Sequence, residues 1–129
     1  MPVSKLDHIN LKAPRDMLDQ LREFYCDVVG LSVGDRPPFS EFGYWLYAGK
    51  QAVVHLSLAG DDEACSTDVK TTFGHTAFAC TGRSVVEKRL SEMDINYREA
   101  RVPESGQNQL FLQDPAGNGV ELSFDSGDS

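Results

Sequence analysis

Three histidines and one glutamate stand in apolar, strand-like stretches of the chain, where polar groups need partners. They are His8, His55 and His75, the only histidines among 129 residues, and Glu121. Burying an unpaired carboxylate is costly, and a divalent metal ion is one partner that offsets this cost. Imidazole and carboxylate suit zinc, iron, nickel, cobalt or manganese. A histidine taken singly is more typical of a hydrogen-bonded structural residue, so residue type alone does not decide.

An internal repeat relates the four positions to one another. His8 maps onto His75 at an offset of 67, and His55 maps onto Glu121 at an offset of 66. The flanking sequences VHLS at 54–57 and VELS at 120–123 also agree. Self-similarity of this kind indicates a duplicated structural unit. The repeat therefore places the four polar groups at equivalent positions of two units and favours a shared role, with a structural role still open.

The elements that must position these groups occur in the same order in both halves. Residues 5–11 alternate between apolar and polar and predict a strand. Pro14 opens a helix that ends at Gly30, and strands follow at 31–33, 44–48 and 52–58. The second half repeats this order, with a strand at 74–80, a helix at 82–93, and strands at 97–102, 109–113 and 120–124. The apolar spacing predicts inward faces made of Met17, Leu21, Phe24, Tyr25 and Val28 in one helix and Val85, Val86, Leu90 and Met93 in the other.

This order predicts an α+β fold built from two βαβββ modules. The first module spans residues 5–59 and the second spans residues 73–124. The polar, acidic segment 60–72 between them is interpreted as a linker. A chain of this length is typical of a single domain, which we expect to span residues 1–129.

Composition and charge narrow the classes of partner. The net charge is −8 and lysine and arginine do not cluster, which argues against a nucleic acid or a membrane surface as partner. No apolar run approaches the roughly 20 residues that cross a bilayer. The chain has no CxxC pair and no secretory signal, so Cys26, Cys65 and Cys80 indicate a reducing, cytoplasmic location and no catalytic thiol. The acidic stretches 61–63 and 125–128 are interpreted as solvated surface.

Four segments carry a resemblance to a known family. They are LDHI at 6–9, FY at 24–25 followed by VGL at 29–31, GHTA at 74–77, and LFLQDPAGNGVEL at 110–122. Over residues 5–124 the chain resembles the vicinal oxygen chelate superfamily, which includes glyoxalase I, extradiol ring-cleaving dioxygenases and the fosfomycin- and bleomycin-resistance proteins. The resemblance implies that the two modules form a curved mixed sheet around one metal site. The ligands would come from the first and fourth strands of each module, at His8, His55, His75 and Glu121.

One of these positions departs from the pattern of a family branch. Metal-dependent glyoxalase I usually has a glutamate where this chain has His55. One glutamate and three neutral imidazoles leave about one positive charge on a divalent site, which makes it a stronger Lewis acid. In the ring-cleaving and fosfomycin branches only His8, His75 and Glu121 would be ligands, and His55 would be a nearby acid–base group.

The resemblance implies a small-molecule substrate with two adjacent oxygens. The first hypothesis is a glyoxalase-I-like lyase or isomerase with one divalent metal ion, in which Glu121 or His55 moves a proton. Arg36 could hold an anionic tail of the substrate, although a solvated surface role is more usual. We expect a homodimer, and leave open whether the site closes within one chain or across the dimer interface.

Two alternatives belong to other branches. A ferrous extradiol ring-cleaving dioxygenase would use an aromatic pocket, for which the candidates are Tyr44, Trp45, Tyr47 and Phe111, although core packing explains most strand aromatics. A drug- or metabolite-binding protein of the bleomycin-resistance type would bind without turnover, but such proteins typically lack the ligands that this chain has. A fosfomycin-resistance activity is disfavoured, because no cluster of lysine, arginine and tyrosine follows His75.

Overall fold

The computed structural model describes residues 2–60 and 70–129. The chain forms two compact units, Met1–Ser66 and Thr67–Ser129. The acidic stretch 61–63, Cys65 and most of the predicted linker at 60–72 lie outside the described residues. Each unit contains one of the two modules that the sequence predicts.

The first unit is a four-stranded sheet with one helix. The elements are β1 (Ile9–Ala13), α1 (Arg15–Phe24) extended by a π-helical turn (Tyr25–Val29), β2 (Ser32–Gly34), β3 (Gly43–Ala48) and β4 (Gln51–Leu58). The strand order is β1-β4-β3-β2, with β1 parallel to β4 and the other neighbours antiparallel. The helical segment ends at Gly30, whose φ of 101° is the left-handed conformation that glycine supplies at a helix end. The pairing of β3 with β4 contains a register shift between Leu46 and Tyr47.

The second unit repeats this architecture. Its elements are β5 (Thr76–Cys80), α2 (Arg83–Glu92), β6 (Arg98–Arg101), β7 (Asn108–Gln113) and β8 (Gly119–Phe124). The order is β5-β8-β7-β6, and β5 is parallel to β8. The prediction of an α+β fold made of two βαβββ modules is therefore confirmed.

The two faces of each sheet have different chemistry. In β4, Val54 and Leu56 point to the face that packs against α1, and His55 and Ser57 point to the opposite face. All four are buried. Leu18 and Leu21 of α1 complete the core on the helix side. The polar face of each sheet is the face that carries the predicted site residues, and we call it the site face.

Several sequence predictions of local detail were wrong. Leu18, which is fully buried, was missed, whereas Met17 is only half-buried. In the second helix, Val86 and Leu90 are buried, but Val85 is 66% exposed and Met93 is 44% exposed. The ten-residue α2 buries only a narrow stripe of residues four apart, so the wider face that apolar spacing suggested does not form.

Two further observations concern the predicted partners and thiols. No helix in the described part of the chain is long and apolar enough to cross a membrane. Cys26 and Cys80 are half-buried free cysteines, and burial raises the pKa of both thiols. A raised pKa keeps a thiol protonated and therefore a poor nucleophile.

Candidate metal centre

The first unit brings His8 and His55 into direct contact. Ile9 pairs with Val54, so His8 lies beside β4 one residue before the ladder begins, and not inside a strand as predicted. The two imidazole rings stack with their centroids 3.7 Å apart and an interplanar angle of 12°. Trp45, which pairs with His55 across the sheet, stacks on the same imidazole at 4.1 Å. His55 is therefore held between two flat rings and has little freedom to rotate.

Hydrogen bonds determine which nitrogen of each ring is available. The Nδ1 atom of His8 lies 2.7 Å from Oδ2 of Asp7. Because the carboxylate accepts the Nδ1 proton, the lone pair of the neutral ring lies on Nε2. The Nε2 atom of His55 lies 3.2 Å from the carbonyl oxygen of Ala52. Because a carbonyl only accepts, we assign the proton of His55 to Nε2 and the lone pair to Nδ1. Each ring thus offers one nitrogen in the form that binds a metal or accepts a proton.

The surroundings of these rings also affect their charge. Burial lowers the pKa of His55, and the neighbouring His8 lowers it further. The hydrogen bond to His8 lowers the pKa of Asp7, so this carboxylate is ionised near neutral pH. A carboxylate that accepts the Nδ1 proton of a histidine, as Asp7 does here, is a common partner of metal-ligating histidines.

The second unit brings His75 and Glu121 together at the equivalent place. The Nε2 atom of His75 lies 3.1 Å from Oε1 of Glu121, whose side chain is only 9% exposed. Gln109 donates from Nε2 to the other carboxylate oxygen at 3.3 Å. The ring of Phe111 meets the ring of His75 edge to face, with the centroids 5.5 Å apart. His75, like His8, lies one residue before its strand, which is Thr76–Cys80.

A glycine allows the close approach of the strands that carry this pair. A Cβ atom on Gly119 would lie 2.2 Å from the carbonyl oxygen of Gly74 and 3.0 Å from Cβ of His75. The first distance is far inside van der Waals contact, so a side chain here would push the two chain segments apart. Gly119 was not among the residues to which the sequence assigned a role. A glycine at the start of a strand signals such close approach.

The four aromatic residues that could line a substrate pocket do not all lie on the site face. Trp45 and Phe111 each lie on the site face of their own sheet, as predicted. Tyr44 does not, because its hydroxyl donates to Asp19 of α1 at 2.7 Å on the opposite face. Tyr47 donates to the carbonyl oxygen of Asp35. Tyr44 therefore contacts the helix side of its sheet and is no candidate for an aromatic pocket on the site face.

Arg36 is not the solvated surface arginine that its position in the sequence suggested. Its side chain is only 15% exposed, and its guanidinium lies 3.7 Å from the carboxylate of Glu41. It also donates to the backbone carbonyl of Glu41 and lies over the ring of Phe39. These contacts hold the loop between β2 and β3. The carboxylate of Glu41 also neutralises much of the positive charge with which Arg36 would bind an anionic substrate.

The donor set fits a borderline divalent metal. It consists of imidazole nitrogens and one carboxylate, which suit zinc, iron, nickel, cobalt or manganese better than the all-oxygen sites of magnesium and calcium. Within the described residues, no lysine or arginine lies within 4.0 Å of the Glu121 carboxylate, so its buried charge faces only imidazole and amide groups. Among residues 2–60 and 70–129, no group of three or more His, Cys, Asp or Glu side chains is placed to hold a metal ion. The set of four ligands therefore stays a prediction.

Several known proteins are similar to this chain in sequence or in fold. Residues 5–122 match the model of the Glyoxalase/Bleomycin resistance protein/Dioxygenase superfamily. A protein of Arabidopsis thaliana named Glyoxylase I 4 is 34% identical over 125 residues, which are 93% of this chain and 70% of that protein. Two solved structures share the fold over nearly their whole length. A lactoylglutathione lyase from Agrobacterium tumefaciens has a TM-score of 0.64 at 24% identity, covering 96% of both chains. A glyoxalase family protein from Enterococcus faecalis has a TM-score of 0.67 at 22% identity, covering 95% of this chain and 99% of that one.

Proposed function

This chain belongs to the glyoxalase/bleomycin resistance protein/dioxygenase superfamily, and on that premise we propose that it is a divalent-metal-dependent lyase or isomerase of the glyoxalase I type. One observation carries the proposal: the buried carboxylate of Glu121 lies 3.1 Å from Nε2 of His75. A buried carboxylate without a cationic side chain is costly unless another positive charge is present. The His8–His55 pair of the first module has the equivalent place in the repeat and supplies the remaining ligands of the proposal.

The name of the Agrobacterium protein and the chemistry of adjacent oxygens support a proposal for the substrate class. We propose a thiol hemiacetal of a 2-oxoaldehyde, which carries a hydroxyl and a ketone oxygen on neighbouring carbons. The reaction moves the C–H proton from the carbon that bears sulfur to its neighbour, moves the hydroxyl proton from the first oxygen to the second, and yields a 2-hydroxy thioester. No atom is gained or lost, and the two carbons exchange oxidation states, so no external oxidant is needed.

The residues of this chain have two tasks in that reaction. His8, His55, His75 and Glu121 would hold the metal ion, which when bound stabilises negative charge on the substrate oxygens. The Glu121 carboxylate is the base that removes the C–H proton and returns it to the adjacent carbon, because its burial excludes the water that would otherwise exchange with the proton. In the alternative arrangement His8, His75 and Glu121 alone hold the metal ion, and His55 is then the second group for proton transfer, since its Nδ1 lone pair stays available and its ring is fixed by Trp45.

The test begins with metal content. Protein purified without added metal or chelator should carry about one zinc, nickel, cobalt or manganese ion per chain, and His75→Ala and Glu121→Gln should lose it. Wild-type protein should convert the hemiacetal of glutathione and methylglyoxal into a thioester, followed by its absorbance, and Glu121→Gln should not. Glu92→Gln is the matched control, because it makes the same chemical change at an exposed helix position in the same unit.

The same measurements distinguish the alternatives. About one ferrous ion per chain, with oxygen uptake when catechols are added, would replace the isomerase by a ring-cleaving dioxygenase. No metal, together with no rise in melting temperature when metals are added, would remove both enzymes and leave a binding protein without turnover. The homodimer stays a prediction, which light scattering on purified protein tests directly.

A further inference from the structure

The site face of the second sheet carries an arginine two strands away from Glu121. Arg98 of β6 pairs with Phe111 of β7, and Phe111 pairs with Glu121 of β8. Residues that pair directly across an antiparallel sheet point to the same face. The three side chains therefore form one row, which is about 10 Å long at the backbone because neighbouring strands lie roughly 5 Å apart.

The guanidinium leans along this row towards the His75–Glu121 pair. The Cζ atom of Arg98 lies 4.6 Å from the ring centroid of Phe111, which is itself 5.5 Å from the ring of His75. These two steps keep the guanidinium within about 10 Å of the imidazole. A cavity of about 520 Å³ in the second unit is lined by His75, Arg98, Phe111 and Gly119, among others. Arg98 and His75, one member of the proposed ligand pair, thus border one space.

The charge of Arg98 is not neutralised by a neighbouring side chain. No carboxylate in the described part of the chain lies within 4.0 Å of its guanidinium, whereas Arg36 and Arg83 each pair with a glutamate. The corresponding row of the first unit runs from Gly34 through Trp45 to His55, so the arginine occurs in the second module alone. A guanidinium that rests on an aromatic ring and faces a cavity is well placed to bind a carboxylate through two hydrogen bonds.

We propose that Arg98 is a specificity-determining residue that binds a carboxylate of the substrate. The proposal rests on the proposed function, because the chelated oxygens would lie at the His75–Glu121 end of the row. It defines the substrate class more narrowly: two adjacent oxygens at one end, a carboxylate at the other, and a connecting segment that packs on Phe111. A neutral compound with the same oxygens would lack the contact with Arg98.

Two catechols test this without turnover. Dihydrocaffeate and hydroxytyrosol both offer two adjacent oxygens, and their side chains end in a carboxylate and in a hydroxyl, respectively. Calorimetric titrations of zinc-supplemented protein in the absence of oxygen should show dihydrocaffeate binding about tenfold more tightly, as expected for a charge-assisted pair. Arg98→Gln should remove this preference, and Arg98→Lys should retain part of it, because lysine keeps the charge but loses the planar fork. Arg101→Gln, which removes the same charge from the opposite face of β6, should leave the tenfold preference intact.

Each outcome decides between specific alternatives. Equal affinity of wild-type protein for both catechols, or a preference that survives in Arg98→Gln, overturns the role of Arg98. An equal loss in Arg101→Gln also overturns it, because a general electrostatic field would then explain the preference. A preference that depends on Arg98 in a protein without isomerase activity keeps the carboxylate site and rejects the proposed function. Isomerase activity without the preference does the reverse. Failure of both catechols to bind also overturns the role of Arg98, and the isomerase assay then decides the proposed function by itself.

Discussion

Asp7→Asn is expected to weaken metal binding about tenfold, although Asp7 is not itself a proposed ligand. Its carboxylate lies 2.7 Å from Nδ1 of His8 and fixes the proton there, so that Nε2 has its lone pair free. Partners that orient a ligating histidine typically contribute about 10- to 100-fold in metal affinity. Here the Asp7 side chain is 73% exposed and that of His8 is 38% exposed, so water screens the interaction. The effect should therefore fall at the lower end of that range.

The assay is a competition titration of zinc between the protein and a chromophoric chelator. It compares the wild type, Asp7→Asn, His8→Ala and the double variant. Because Asp7 is argued to act through His8, Asp7→Asn should cost nothing further once His8 is alanine. Asp27→Asn is the control, since it removes another exposed aspartate from the same unit. Wild-type affinity in Asp7→Asn, or an undiminished effect in the His8→Ala background, would refute the reasoning.

Three further predictions concern the framework around the site. Leu90→Ala should lower the free energy of unfolding by about 3 kcal/mol in urea denaturation, because Leu90 is fully buried, whereas Val85→Ala on the exposed side of α2 should cost less than about 0.5 kcal/mol. Gly119→Ala should cost about 2 kcal/mol and weaken zinc binding in the same titration, since the added Cβ meets a backbone carbonyl; unchanged zinc affinity would contradict the role of Gly119. The neighbouring carboxylate of Glu87 raises the pKa of Glu99, so the folded state loses stability as pH rises through that pKa. Glu99→Gln should accordingly melt at a higher temperature than wild type near pH 7 and at the same temperature near pH 3; a lower melting temperature near pH 7 would show that its ion pair with α2 dominates.

The repeat explains why so much of the fold could be predicted. Strand alternation and turn residues act locally, so most element boundaries were predicted to within one or two residues. The equivalence of His8 with His75 and of His55 with Glu121 could be predicted because the sequence shows that one unit occurs twice. Each pair does lie together within its own unit, at 3.7 Å between rings and 3.1 Å between atoms.

The errors arose where a side chain's neighbours are distant in sequence. Tyr44 and Trp45 are adjacent in β3 and therefore point to opposite faces. The register with β4, which pairs Trp45 with His55, shows that Tyr44 is the one that faces α1. The proposed role of Arg98 likewise depends on its pairing with Phe111 and, one strand further, on Glu121. The role of Gln109 depends on its hydrogen bond to Glu121 on the neighbouring strand. Apolar spacing alone also does not fix which side of a helix is buried. Val85 fits the apolar spacing of α2 and is nevertheless exposed.

The two modules differ in length by one residue between the proposed ligands, and this difference does not change how the parallel strands pair. His8 and His55 are 47 positions apart, whereas His75 and Glu121 are 46 apart. Yet the parallel ladders begin identically, with Ile9 opposite Val54 and Thr76 opposite Val120. The first unit contains a π-helical turn and a shift in the β3–β4 register, two irregularities that absorb added residues. A duplicated unit can thus take up residues in its helix and hairpin while its parallel strand pair keeps the proposed ligands in place, which leaves each half free to have substrate contacts of its own.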